Sequence, residues 1–90
     1  MAWKIRVSKE ADKAIRKLDK AIAKQVLDEL EEVSKLEDPR SRGKGLVGNL
    51  AGLWRYRVGD YRIVCDIEDD VLVVLVVDVD HRSRIYSRHR

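Results

Sequence analysis

Ninety residues with a net charge of +3 and 44% hydrophobic side chains suffice for one small core, so a single domain over residues 1–90 is expected. No apolar run approaches the roughly 20 residues needed to cross a bilayer, and the N-terminus lacks a charged-then-apolar leader, which points to a cytoplasmic protein with no membrane partner. One cysteine, Cys65, and two histidines, His81 and His89, provide neither an internal disulfide nor metal-ligand spacing, so no metal and no cofactor are expected.

Trp3–Val7 alternates apolar and basic residues and reads as a first strand. Ser8 can cap a helix that carries Ala11, Ala14, Ile15 and Leu18 on one side, with Glu10 and Asp12 near its positive end. Asp19 can cap a second, antiparallel helix whose apolar stripe is Ile22, Val26, Leu27, Leu30 and Val33. Pro39, Gly43 and Gly45 then break the periodicity, while Arg40, Arg42 and Lys44 add charge; the segment 38–45 reads as a mobile basic loop. Leu53–Val58 and Tyr61–Ile67 alternate on either side of Gly59-Asp60, the signature of a type II′ hairpin. Val71–Val79 is almost continuously apolar, as suits a strand buried on both faces, and a short arginine-rich tail follows. The fold class is α+β: an N-terminal strand and an antiparallel helical hairpin on a mainly antiparallel sheet, in the order β-α-α-β-β-β.

Positive charge is unevenly spread. Residues 1–38 hold nine basic and nine acidic side chains, residues 39–90 ten and seven, and Lys44 is the one lysine among those ten. Arginine's planar fork suits phosphate, so a nucleic-acid backbone is a candidate partner. With Gly59 and Asp60 as loop residues, Arg57 faces Arg62 and Arg55 faces Val64. Trp54, Tyr56, Val58, Tyr61, Ile63, Cys65 and Ile67 then share one face, and Arg55, Arg57 and Arg62 project from the other. Like charges directly opposite each other are destabilising, so the pair Arg57–Arg62 asks for an anion. The alternative for these arginines is solvation or internal pairing with Asp66 or Asp80.

Metal-free RNA cleavage needs a base for the 2′-hydroxyl, cations for the crowded phosphorane and a group at the leaving 5′-oxygen. The run His81-Arg82-Ser83-Arg84-Ile85-Tyr86 offers candidates for each. Neighbouring arginines favour a phenolate, so Tyr86 can serve as base; otherwise it is an aromatic closing the end of the sheet. His81 has the better-matched ordinary pKa, or is a strand-end residue hydrogen-bonded beside Asp80. Cys65 falls on the core face and reads as a packed small residue.

The run 46–64, Leu-Val-Gly-Asn-Leu-Ala-Gly-Leu-Trp-Arg-Tyr-Arg-Val-Gly-Asp-Tyr-Arg-Ile-Val, resembles the central signature of the RelE/ParE toxin superfamily. The ending Asp80-His81-Arg82-Ser83-Arg84-Ile85-Tyr86 resembles the RelE branch. Taken with the strand-helix-helix beginning and Pro39-Arg40, the resemblance spans nearly the whole chain and implies a RelE-like fold. It also implies a toxin of a type II toxin–antitoxin system that enters the ribosomal A site, against small-subunit rRNA, and cuts mRNA by 2′-hydroxyl attack. On that basis Tyr86 is the base or orients the hydroxyl, Arg82 serves the leaving oxygen and Arg62 holds the scissile phosphate. Arg55 and Arg57 stand where the best-known members carry lysine, which suits electrostatic clamping and not proton transfer. The proton donor stays open between Arg82 and His81. Arg40, Arg42, Lys44, Arg84 and Arg88 are the implied contacts to RNA and ribosome. The resemblance further implies a RelB-like antitoxin, through which the toxin–antitoxin complex would bind operator DNA. Two other readings stand beside this one: a ParE-like DNA gyrase poison that binds without cutting, and a nuclease-dead nucleic-acid-binding module.

Overall fold

A computed structural model of the protein describes residues 2–81 and residue 83. The first strand, β1 (Lys4–Val7), leads into α1 (Lys9–Arg16), whose start is fixed by the Ser8 hydroxyl accepting the Ala11 amide at 3.1 Å. Asp19 caps α2 (Lys20–Ser34) in the same way, accepting the Ala21 amide at 3.3 Å. Val26, Leu30 and Val33 of α2 are buried, whereas Leu27 is 52% exposed. Successive helical residues point about 100° apart, so Val26 and Leu27 cannot both centre on one stripe, and the expected stripe loses Leu27.

Among the described residues the sheet has five strands, in the order β1-β5-β4-β3-β2. These are β2 (Lys44–Gly45), β3 (Trp54–Val58), β4 (Tyr61–Glu68) and β5 (Val73–His81), with β1 already given. β1 runs parallel to β5, and every other pairing is antiparallel. The expected strand order lacked β2, because two residues in a Gly-Lys-Gly stretch carry no alternation to read. β5 lies inside the sheet between β1 and β4 and is mostly buried on both sides. It begins at Val73; Val71 and Leu72 belong to the preceding turn, where Leu72 has a φ of 54°.

The hairpin register is the one the Gly59-Asp60 loop dictates. Val58 faces Tyr61, Arg57 faces Arg62, Tyr56 faces Ile63 and Arg55 faces Val64, with Gly59 at a φ of 58°. Tyr56, Val58, Ile63, Cys65 and Ile67 consequently share one face with Val74, Val76 and Val79, and that face packs against Ala11, Val26, Leu30 and Val33 of the helices. Each fully buried side chain of this size contributes roughly 1.5–3 kcal/mol. β5 holds to this face only through a change of phase. Cys65 pairs with Val76 and Val64 with Asp78, so Val77 is the extra residue of a bulge. Without it, strict alternation from Val74 and Val76 would drive Asp78 and Asp80 into the core. With it, Val79 turns inward, and the two aspartates stand on the arginine side.

Candidate functional site

Two cationic regions lie close together. The first is the segment expected to be a mobile loop, and it is instead a strap held at several points. Asp38 caps a short 3-10 turn at Pro39–Ser41 by accepting the Arg40 amide at 2.9 Å. Pro39 is buried, and the Tyr56 hydroxyl donates to its carbonyl at 2.7 Å. The Trp54 indole N–H donates to the Arg42 carbonyl at 2.6 Å. Gly43, at a φ of 77°, lies so flat against β3 that a Cβ there would collide with the Arg55 carbonyl oxygen. The physical reason is general: a buried Tyr or Trp needs a partner for its polar tip, and on this side the partners are strap carbonyls. Burial pushes the Tyr56 phenol well above its ordinary range, so it stays neutral and donates.

The strap arginines are likewise engaged. Arg40 grips Asp69 with two hydrogen bonds of 2.8 Å each, and Arg42 pairs with Glu29 at 2.8 Å. The Arg40 hydrogen bonds hold the Asp69 carboxyl below its usual value. Both arginines were candidate RNA contacts, and both already have anions within the molecule. Lys44, next along, makes no ion pair among the described residues; β2 sets it directly opposite Arg55.

The second region is the outer face of the hairpin. Arg55 and Arg57 alternate along β3, and Arg62 lies across from Arg57. Arg57 is exposed, but Arg62 is only 5% exposed, and its Nε is buried with no hydrogen-bond partner. Its Nη1 reaches the Tyr61 carbonyl at no better than 3.5 Å. A buried guanidinium with one long neutral contact is a costly arrangement that an incoming anion would relieve. Asp80 is the cross-strand neighbour of Arg62 and Asp78 that of Val64, yet neither forms an ion pair with Arg62. Among the described residues Arg57, too, makes no ion pair, although it borders a shallow groove with Asp28, Glu29 and Glu32.

The register pairs His81 with Tyr61, which places it on the helix side of the sheet, away from Arg62. Its ring meets Tyr61 edge-on at 5.6 Å. Its Nδ1 accepts the Ser83 backbone N–H at 3.2 Å and lies 2.9 Å from the Ser83 hydroxyl. A backbone N–H only donates, so Nδ1 is the acceptor and the neutral ring carries its proton on Nε2. A wider groove of about 940 Å³ also lies on this helix side, between α1 and the ends of β4 and β5. Its lining sets Glu10, Asp19, Asp78 and Asp80 against Lys13 and Lys17, so it lacks the positive field of the hairpin face.

Arg55, Arg57, Arg62 and Lys44 are therefore brought together, Arg40 and Arg42 are diverted to carboxylates, and His81 is set apart. Arg82, Arg84, Tyr86 and Arg88 lie outside the described residues. Trp54, Tyr56 and Gly43, which hold the strap, had been read only as core and loop residues. The signal for them was the need of buried aromatic polar tips for partners.

Comparison with known proteins agrees with this architecture. The family described as ParE toxin of type II toxin-antitoxin system, parDE, matches residues 5–86. Toxin RelG of Mycobacterium tuberculosis is 41% identical over 51 residues, 57% of this chain; the match spans 59% of that relative's length, less than two thirds. The toxin–antitoxin complex RelBE2 from Mycobacterium tuberculosis superposes with a TM-score of 0.82 at 30% identity, over 91% of this chain and 100% of that one. A mutant of E. coli toxin RelE in the free state gives a TM-score of 0.79 at 29% identity, covering 99% and 95%. The archaeal RelE–RelB complex from Pyrococcus horikoshii gives 0.72 at 25%, covering 93% and 99%.

Proposed function

Because the chain belongs to the RelE/ParE superfamily of type II toxin–antitoxin toxins and is of the RelE type, we propose that it is a metal-independent endoribonuclease that cuts mRNA in the ribosomal A site. The observation that carries this reading is the buried, unsatisfied Arg62 beside exposed Arg57. When a 2′-oxygen attacks phosphorus, negative charge builds on the non-bridging oxygens before the bond to the 5′-oxygen breaks. A cation already desolvated and fixed by a strand stabilises that charge without reorganising, and in a low-dielectric setting its effect is greatest. Arg62 grips the scissile phosphate in this scheme, and Arg57 and Arg55 add positive potential beside it. None of them shuttles protons, because guanidinium does not deprotonate in proteins.

Of the C-terminal residues that the family resemblance singles out, Tyr86 takes the proton of the 2′-hydroxyl, and Arg82 stabilises the charge on the leaving 5′-oxygen, which takes its proton from water. His81, committed to Ser83 on the other side of the sheet, is left out of the grip on phosphate. The partner is a RelB-like antitoxin, as in the RelBE2 and archaeal RelE–RelB complexes, and it supplies the anionic or helical cover for the arginine face. Operator DNA would be bound through that antitoxin, and small-subunit rRNA would lie against the basic face on the ribosome.

The test is cleavage on a ribosome programmed with a defined A-site codon, mapped by primer extension. Codon-specific cuts that disappear in Arg62→Ala, Arg82→Ala and Tyr86→Phe support the reading. A second reading, binding to DNA gyrase without cutting, draws on the ParE description of the matching family. Intact message together with inhibited supercoiling would favour it and sink the first.

A further inference from the structure

Resting on the reading above, we propose that His81 is a positioning residue for the cutting step: by tying its Nδ1 to the backbone of Ser83 it holds the chain on both sides of position 82, and so sets the direction in which Arg82 is offered to the leaving 5′-oxygen. His81 touches no RNA in this scheme. It acts through its neighbour.

A strand end is where register stops holding the chain. β5 is paired as far as His81, opposite Tyr61, and by Ser83 the chain has left the sheet. A cation carried on a loose exit would spend most of its time away from the reacting atoms. A side chain closes this gap. His81 Nδ1 accepts the Ser83 amide at 3.2 Å and lies 2.9 Å from the Ser83 hydroxyl, so the residues flanking position 82 are joined in one small ring. A side-chain acceptor bonded to the amide two residues on is the device by which Asn and Asp fix turns. Here an imidazole nitrogen does the same.

The imidazole also has a second contact, which asparagine could not make. Its ring meets Tyr61 edge-on, with centroids 5.6 Å apart and planes at 84°, the arrangement that aromatic quadrupoles favour. Tyr61 precedes Arg62 on β4, and successive strand residues point to opposite faces. The ring that orients the exit and the guanidinium that grips the phosphate are therefore referenced to adjacent residues of one strand, from opposite sides of the sheet. Because Nδ1 accepts, the ring is neutral in this arrangement, and phenylalanine in its place would remove an acceptor and no charge.

The experiment compares His81→Phe and His81→Asn, alone and in an Arg82→Ala background. Two quantities are read: single-turnover cutting on programmed ribosomes, and affinity for ribosomes whose message carries a 2′-O-methyl group at the cut nucleotide. His81→Phe keeps a ring against Tyr61 and loses the acceptor. Its cutting rate should fall roughly 10- to 100-fold, the order expected when a group is misplaced by about 1 Å, while affinity stays native. His81→Asn, whose Oδ1 can accept the same amide, should recover most of that loss. In the Arg82→Ala background His81→Phe should bring no further loss, since a residue that works by aiming Arg82 then has nothing to aim. A native rate in His81→Phe, an Asn variant as slow as the Phe variant, a fall in affinity matching the fall in rate, or the full loss repeated without Arg82 would overturn the positioning role. If His81→Phe melts below native protein, the Arg82 cycle still decides, because a folding defect slows cutting whether or not Arg82 is present. Native protein that leaves the message whole would sink the nuclease reading and this role together, whereas native cutting that Arg82→Ala leaves untouched would sink this role alone.

Discussion

The strap and the hairpin carry the same side chain to opposite ends. Arg40 and Arg42, whose side chains are 39% and 45% exposed, are tied to Asp69 and Glu29, while Arg62 is almost wholly buried and forms no ion pair among the described residues. Exposure is thus a poor guide to which arginine is available for a ligand. What decides is whether the fold closes an ion pair, and among the described residues it closes none on Arg62 even though Asp80 is its cross-strand neighbour. One set of arginines holds the molecule's shape; the other is held ready by that shape.

The sharpest way to break this contrast is Arg62→Met. Removing a preorganised cation from a developing oxyanion typically costs 10²–10³ in rate, so single-turnover cutting on programmed ribosomes should fall by about that factor. Thermal stability should hold or rise, because an unpaired buried charge is replaced by an apolar chain of similar length. A variant that lost activity and melted far below the native protein would mean that Arg62 is structural after all. Next in size is Gly43→Ala. Its backbone is left-handed and its Cβ would strike the Arg55 carbonyl, so unfolding in urea should show a loss of about 3 kcal/mol. Tyr56→Phe, which strands the buried Pro39 carbonyl, should cost about 1–2 kcal/mol by the same measurement.

The smallest effect belongs to Arg40→Ala, which removes an exposed ion pair and should change both the urea midpoint and the cleavage rate least of the set. Its pH dependence gives a further check. Asp69 titrates below its ordinary value of 3.8 in the folded protein. The stabilisation it brings is therefore complete above that value and disappears as the pH falls through the lowered one. Native protein and Asp69→Asn should accordingly differ near neutrality and converge in acid. A difference that grew on acidification would show that Arg40 is not what holds Asp69.

Much of this was legible from residue order because the signals are local. Ser8 and Asp19 announce their helices, Gly59-Asp60 sets a loop length, and loop length sets the register that pairs Arg57 with Arg62. Cys65 likewise sits where alternation puts it, and burial pushes its thiol up and out of use as a nucleophile. What escaped was long-range. Tyr56 meets Pro39, Trp54 meets Arg42, and Arg40 meets Asp69, all across loops whose closure leaves no mark in the alternation pattern. The strap accordingly read as loose. The bulge at Val77 escaped for another reason: one extra residue shifts a strand's phase, and a valine run looks the same in either phase. His81 was singled out for its ordinary pKa within the run His81–Tyr86, and its pairing with Tyr61 sets it on the face opposite Arg62.

The parallel contact of β1 with β5 gives the molecule an interlocked division of labour. Residues 44–62 carry the cations, residues 9–34 carry the helices that cover their backs, and Lys4 lies beside Val73 at the far side of the sheet. A single cut in the connection near Val47, which is 84% exposed, would leave two pieces that are each without a closed core. Neither piece could fold by itself, and recovery of the whole would depend on the halves meeting again, so the protein is in effect two interdependent halves joined by one exposed tether.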